Sequence, residues 1–412
     1  MIQRPQPLGV LPWPAGMLVM PGSDDAVRRQ LLRGVVPEKW PPGWDAVRLA
    51  LADSPAEAAE HVTGDDDIAR YNRAVLVGGD GVWEAFTPSD PDLAALAAVA
   101  AYSVGVRDAA PEVASTTGEI AAVVRSARAS AALERGDVQA AVDELNEGAD
   151  AAEAAGSMIL AASLLATRAE LLRESLGSPQ AASDAVDAAL RLIPRHLDDD
   201  VRFYAPAELW GELHVTRALA RQEMSTRNPG LLLGVTQDLN EALKVFGEET
   251  HPEQFAACNS HLALAYLVIP MSSQGDRLRV GVAVTSLRAA LRVYRPDTHP
   301  ALWASTQMNL ANALQYLPSV HQEDNLDEAV HLYEELLQYR SEESDPLGTA
   351  RILANQGNAL GHLGVFSDAR ERLDRSRRIF ESYGDSEGVA TVNEILASLD
   401  EAVTSAASGR GA

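Results

Sequence analysis

The hydrophobic pattern changes character along the chain. In residues 1–22, Pro5, Pro7, Pro12, Pro14 and Pro21 interrupt the apolar positions, a density that prevents regular helix and predicts an extended, polyproline-like arm. The arm is nonetheless rich in Leu8, Val10, Leu11, Trp13, Met17, Leu18, Val19 and Met20, which are costly to leave in water and should pack on the protein itself or on a partner. Residues 23–110 show helical spacing without a repeat. Helices are predicted over Asp24 to Val35, Trp44 to Ala52, Pro55 to Val62, Ile68 to Leu76 and Pro91 to Val104. The stretch from Val75 to Trp83 could instead form a β-hairpin through Gly78-Gly79-Asp80-Gly81. It is not a phosphate loop, because the Gly-x-Gly-x-x-Gly spacing is missing and Asp80 would repel phosphate.

From Thr116 onward the chain reads as paired helices with small residues where helices must cross closely. Ala129, Gly136-Asp137, Ala141 and Leu145 follow one another in one unit, and Gly177, Ala182, Ala189-Leu190 and Pro194 in the next. A small residue on the first helix admits the second, Gly allows the tight turn, and Pro ends the pair. Later units align visibly. A step of 46 carries Pro300 onto Pro346 and Asn309-Leu310-Ala311-Asn312-Ala313-Leu314 onto Asn355-Gln356-Gly357-Asn358-Ala359-Leu360. A step of 48 backwards reaches Pro252 and sets Phe255 against Trp303 and Ala263 against Ala311; Trp210 and Ala218 fit an earlier copy. On the second helices Ala242 to Phe246, Ala290 to Tyr294 and Ala329 to Tyr333 repeat Ala-aliphatic-x-aliphatic-aromatic, a core pattern. The fold class expected is all-α, an α-α superhelix over 116–403 behind an irregular helical domain. Glu387 to Val403 is its capping helix and residues 404–412 are a flexible tail.

Leu353, Gly357, Leu360, Gly364, Phe366 and Ala369 fall within one helix pair at the spacing of the tetratricopeptide repeat family, which the chain resembles from about 120 to 400. Copies before residue 250 are degenerate, and several exceed the family's usual length of about 34 residues, the extra falling in loops such as Pro270 to Arg279 and Pro318 to Asn325. The resemblance implies a solenoid that binds a peptide or helix on the concave face of its first helices. Asn309/Asn312 and Asn355/Asn358 look like the Asn-Leu-Gly-Asn helices of tetratricopeptide adaptors, whose amides contact a bound peptide backbone. An amide both donates and accepts, so a row of them can hold an extended chain without reading its side chains. Hydrogen bonding between neighbouring helices is the other role open to these asparagines, which are poor mid-helix residues. Ser305, Met308, Gln315, Arg351 and His362 fall near the same side and complete the candidate groove. The lysine clamp that some chaperone adaptors use for a C-terminal carboxylate is missing, since Lys39 and Lys244 are the only lysines.

Composition narrows the chemistry. Thirty-four basic against 59 acidic residues give a net charge of -25, which repels nucleic-acid phosphates and anionic lipid and favours a basic or neutral protein segment as partner. One cysteine, Cys258, excludes an internal disulfide framework and a Cys-rich metal site within the chain, and fits a cytoplasmic location. Neither lysine follows a glycine, so no Walker P-loop exists. Nine dispersed histidines form no His-Glu-x-x-His motif. The acidic runs Asp65-Asp66-Asp67 and Asp198-Asp199-Asp200 (beside His196) lack Ca2+-loop spacing and read as caps or solvated loops. No Gly-x-Ser-x-Gly elbow appears. Neither a catalytic residue nor a cofactor is expected. The reading is a non-catalytic interaction scaffold; the rival reading is an accessory factor for assembly or maturation of a bacterial enzyme complex, for instance a metalloenzyme such as a hydrogenase.

Overall fold

The computed structural model describes residues 2–22, 24–78, 80–113, 115–193, 206–269, 277–318, 321–340 and 342–409. Among them every regular element is a helix. Contacts divide the chain into two units, Met1–Val245 and Phe246–Ala412.

In the first unit a 3-10 turn, Ala15–Met17, is followed by α1 (Asp25–Leu32), α2 (Asp45–Leu51), α3 (Pro55–Glu60), α4 (Asp67–Val77), α5 (Asp80–Ala85) and α6 (Pro91–Ser103). Three hairpins follow: α7 (Gly118–Glu134) with α8 (Val138–Ala154), α9 (Met158–Glu174) with α10 (Pro179–Leu192), and α11 (Pro206–Ser225) with α12 (Leu232–Ala242). Local chemistry starts these helices where the sequence signals them. Asp24, Asp66 and Asp90 accept hydrogen bonds from first-turn amides, and Pro55, Pro91 and Pro179 occupy first-turn positions that need no amide donor. Ala129, Ala141, Ala182 and Ala189 are all buried at helix crossings, which confirms the small-residue logic.

Three local expectations are corrected. The arm is not extended. It is folded into turns, with Leu8, Val10 and Leu18 buried and Trp13 48% exposed, and its core continues without a break from Ile2 to Ala220. The packing therefore has no seam at 110–116. Residues 75–83 form no hairpin, because α4 continues to Val77 and α5 begins at Asp80. Burial explains this outcome: Trp83 stacks edge-on against the buried Tyr71 ring at 6.2 Å, and a helical turn brings it there. Lys244, expected inside a helix, lies in the turn after α12 and pairs with Glu241 at 2.7 Å.

The second unit stacks α13 (Pro252–Val268), α14 (Arg277–Val293), α15 (Pro300–Gln315), α16 (Gln322–Tyr339), α17 (Pro346–His362), α18 (Phe366–Ser382) and α19 (Ser386–Gly409). Each helix packs on the next, and first helices also meet their counterparts two along: α13 with α15, α15 with α17 and α17 with α19. This is a stacked array of helical hairpins. Tyr294 and Tyr333 are buried at the aromatic positions of the second-helix pattern, as is Phe246. Gly357 lets α18 approach α17, since a Cβ there would stand 2.7 Å from Leu373 Cγ and 3.0 Å from the Ala369 carbonyl oxygen. The last helix runs to Gly409 and takes in residues 404–409, which were expected as tail.

Candidate functional site

The four asparagines lie on α15 and α17, adjacent first helices of the second unit, with Asn309, Asn312, Asn355 and Asn358 all half-buried. The 46-residue step superposes the sequences of these helices, so the same helical face repeats and the amides come into register. They bond to each other. Asn355 Nδ2 donates to Asn312 Oδ1 at 2.9 Å, and Asn358 Nδ2 donates to Gln315 Oε1 at 2.9 Å. Gln315 Nε2 in turn donates to the Tyr333 hydroxyl at 2.7 Å, and that hydroxyl donates to Asn312 Oδ1 at 2.5 Å. The result is a directional chain from Asn358 through Gln315 and Tyr333 to Asn312, where Asn355 also ends. It ties α15, α16 and α17 together.

Part of the amides' hydrogen-bonding capacity is therefore used between helices, the other role open to these asparagines. What is left over is the more informative part. Both lone pairs of Asn312 Oδ1 are engaged, but its Nδ2 makes no bond to another described residue, nor do the Asn355 and Asn358 carbonyl oxygens. Asn309 makes no side-chain bond among the described residues. The network thus fixes the orientation of the amides and leaves unspent donors and acceptors on a half-exposed surface.

Met308 lies beside this row, its sulfur 3.9 Å from Asn355 Nδ2. Exposed Ser305 and exposed His362 share the helices but join no part of the network. Arg351 is exposed and makes no ion pair among the described residues. With Asn355 it lines a hollow of about 370 Å3 that Asp385, just before α19, and Glu387 and Thr391 of α19 also line. The candidate groove of the sequence reading did not include Tyr333, Asp385, Glu387 or Thr391. Tyr333 was legible as core from its repeat position, but its hydroxyl has a second use that periodicity does not encode.

The corresponding face of the first unit is occupied by the chain itself. Gly9, at φ +66°, presses on α9 so closely that a Cβ would stand 2.8 Å from Leu160 Cδ1. Arg4 anchors the arm on α7 through Glu119, with Nε at 3.0 Å and Nη2 at 2.9 Å, and the Gln6 amide donates to the same carboxylate at 3.1 Å. The Tyr71 hydroxyl donates to the Met17 carbonyl at 2.9 Å, and Asn72 brackets Val19 with two bonds of 2.9 Å. Between Gly9–Pro12 and the facing sides of α9 and α11 remains a cavity of about 580 Å3 with Glu170, Glu208 and Glu212 on its wall. Partial burial, followed by the neighbouring carboxylates, raises the Glu170 and Glu212 carboxyls above the usual range.

Other candidate chemistry resolves into structure. Cys258 is buried and burial pushes its thiol up to about 12, the opposite of an activated nucleophile. Asp66 caps α4 through the Ala69 amide at 2.8 Å, and Asp65 pairs with Arg70 at 3.4 Å. His196 and Asp198 to Asp200 lie outside the described residues, as does most of the loop from Pro270 to Arg279. Among the described residues no three His, Cys, Asp or Glu side chains are grouped to hold a metal, and no helix is long and apolar enough to cross a membrane. A buried charge cluster is also structural. Asp238 on α12 is 2% exposed and meets His214 Nδ1 at 2.9 Å, Arg217 Nη2 at 2.6 Å and Arg221 Nη1 at 2.5 Å, while Arg217 reaches on to Asp187 of α10 at 2.5 Å. Burial alone would raise the Asp238 carboxyl, but the hydrogen bonds from His214 and Arg217 and the two positive charges outweigh it and hold it low.

No protein-family model matches the chain, and no curated protein sequence matches it. Solved structures similar to it include the TPR2AB domain of yeast Sti1 in a pHSP90 complex, at 13% identity and TM-score 0.25, covering 68% of this chain and 98% of that one. Another is the P58(IPK) TPR domain, at 16% identity and TM-score 0.28, covering 88% of this chain and 97% of that one. Both are described as TPR domains. At these scores the fold assignment rests on the packing of this chain's own helices.

Proposed function

We propose that this protein is a non-catalytic interaction scaffold that takes an extended segment of a partner protein along the first helices α15, α17 and α19. The observation that carries the reading is the oriented amide row. Its internal bonds hold Asn312, Asn355 and Asn358 in place, and its remaining donors and acceptors match the alternating groups of a peptide backbone. Arg351, Glu387 and Asp385 border the row and supply charge of both signs for partner side chains. The net charge of -25 favours a basic or neutral segment over an acidic one. The equivalent face of the first unit is filled by the arm, which supports placing the partner on the second unit.

The test uses the full chain as bait and compares wild type with Asn309→Ala/Asn358→Ala. Asn309 makes no bond to another described side chain and Asn358 only one, so the variant should retain its thermal stability to within about 1 kcal/mol. Quantitative co-purification should then show at least tenfold lower recovery of the partners captured by wild type. Equal recovery from a folded variant rejects this assignment.

A further inference from the structure

A cavity lined in part by four arginines lies within the Met1–Val245 unit. The α1 sequence places Asp25, Arg28, Arg29 and Leu32 on one face by their three- and four-residue spacing, with Arg33 just beyond. That face closes, together with Arg4 of the arm, the start of α9 and Leu192 of α10, around a cavity of about 610 Å3. The volume lies within the range of small-molecule sites, roughly 300–1,000 Å3. Its wall holds four guanidinium groups against one carboxylate, in a protein that carries a net charge of -25.

The arginines are unequally committed. Arg4 is held by Glu119 and Asp92, and Arg28 and Arg29 share Asp25. Arg33 makes no ion pair among the described residues. One buried polar atom of a lining residue also lacks a partner. Arg28 is only 4% exposed and lines the cavity, yet its Nε has no acceptor. Leaving a buried donor unmet costs roughly 1–3 kcal/mol, which favours an acceptor group beside Arg28. The α9 N-terminus adds a favourable field for an anion. Pro5, Leu32, Met158, Ile159 and Leu192 form an apolar floor.

We infer that this cavity binds a small organic phosphate, its phosphoryl group held by Arg28, Arg29 and Arg33 and its apolar body lying on Leu32, Ile159 and Leu192. The excess of guanidinium groups over Asp25 suits a doubly charged phosphate monoester better than a single carboxylate. Nucleic acid and anionic membrane fit less well, because the net charge repels both and the cavity admits only a small group.

Isothermal titration of the full chain with phenyl phosphate, inorganic phosphate and benzoate at low ionic strength tests this. Phenyl phosphate should bind saturably at one site per chain, more tightly than either other probe. Arg29 and Arg33 are exposed, so Arg29→Gln/Arg33→Gln should keep the fold, checked by circular dichroism, and weaken phenyl phosphate at least tenfold. Arg135→Gln, an exposed arginine that does not line the cavity, should leave the affinity unchanged. The inference falls if phenyl phosphate shows no saturable binding up to about 10 mM, one decade weaker than a millimolar Kd. It also falls if the double variant binds like wild type, or if benzoate or inorganic phosphate binds as tightly as phenyl phosphate.

Discussion

Asp238→Asn is the substitution with the largest expected consequence. Asn has nearly the volume of Asp, so helix packing between α11 and α12 is preserved and the change isolates the charge. In the native protein the carboxylate receives Nε and Nη2 of Arg217 as well as Arg221 Nη1 and His214 Nδ1, while its own exposure is 2%. Neutralising it leaves Arg217, itself largely buried, with Asp187 as its remaining carboxylate partner. Breaking a buried ion pair from one side costs about 3–5 kcal/mol. At roughly 2–4 °C per kcal/mol for a unit of this size, Tm should fall by about 6–20 °C, read by far-UV circular dichroism. The pH dependence adds a second check with a definite sign. The folded carboxyl is held below its ordinary value, so its stabilisation is present above the ordinary Asp range near 3.9 and is lost as pH falls through the folded value. The gap between wild type and variant should therefore be full at pH 7 and shrink as acid titrates the wild type. A Tm change under about 2 °C at pH 7, or a gap that does not alter on acidification, refutes the reasoning.

Two further substitutions probe the packing of each unit. Gly357→Ala would gain roughly 1 kcal/mol of helix propensity in an open helix, but here its Cβ meets Leu373 and the Ala369 carbonyl, so a net loss of about 1–3 kcal/mol is expected by denaturant titration; a gain would show that α17 and α18 are not in close contact. Glu212→Gln should raise Tm at pH 7, because burial and the charges of Glu170 and Glu208 disfavour the ionised form in the folded state. A raised carboxyl stabilises the fold when protonated, so the advantage of Gln should vanish as pH falls through the raised value into the usual Glu range, and an advantage that grows in acid would contradict the assignment.

The amide row shows how far sequence reading reached at the candidate site. The 46-residue step placed Asn309, Asn312, Asn355 and Asn358 on equivalent faces, because helical periodicity relates sequence spacing to direction. It left open whether the amides face a ligand or each other. That depends on the approach of α15 to α17 and on Tyr333 lying between them, contacts made across 43 and 21 residues of chain.

The sequence by itself determined the helical hairpins, the small residues at their crossings and the aromatic core positions of the second helices. These follow from spacing within a single helix pair, where sterics and burial act over a few residues. Only the tertiary structure decided that the proline-rich arm lies against α7 and α9 and shares their core, since Arg4 finds Glu119 across 115 residues. It likewise decided that residues 80–85 turn as helix, through the seat Tyr71 offers Trp83, and that Arg4, Arg28, Arg29 and Arg33 surround one cavity. Charge and apolar surface are local properties, but which of them meet is set by the folding of distant segments onto a common core.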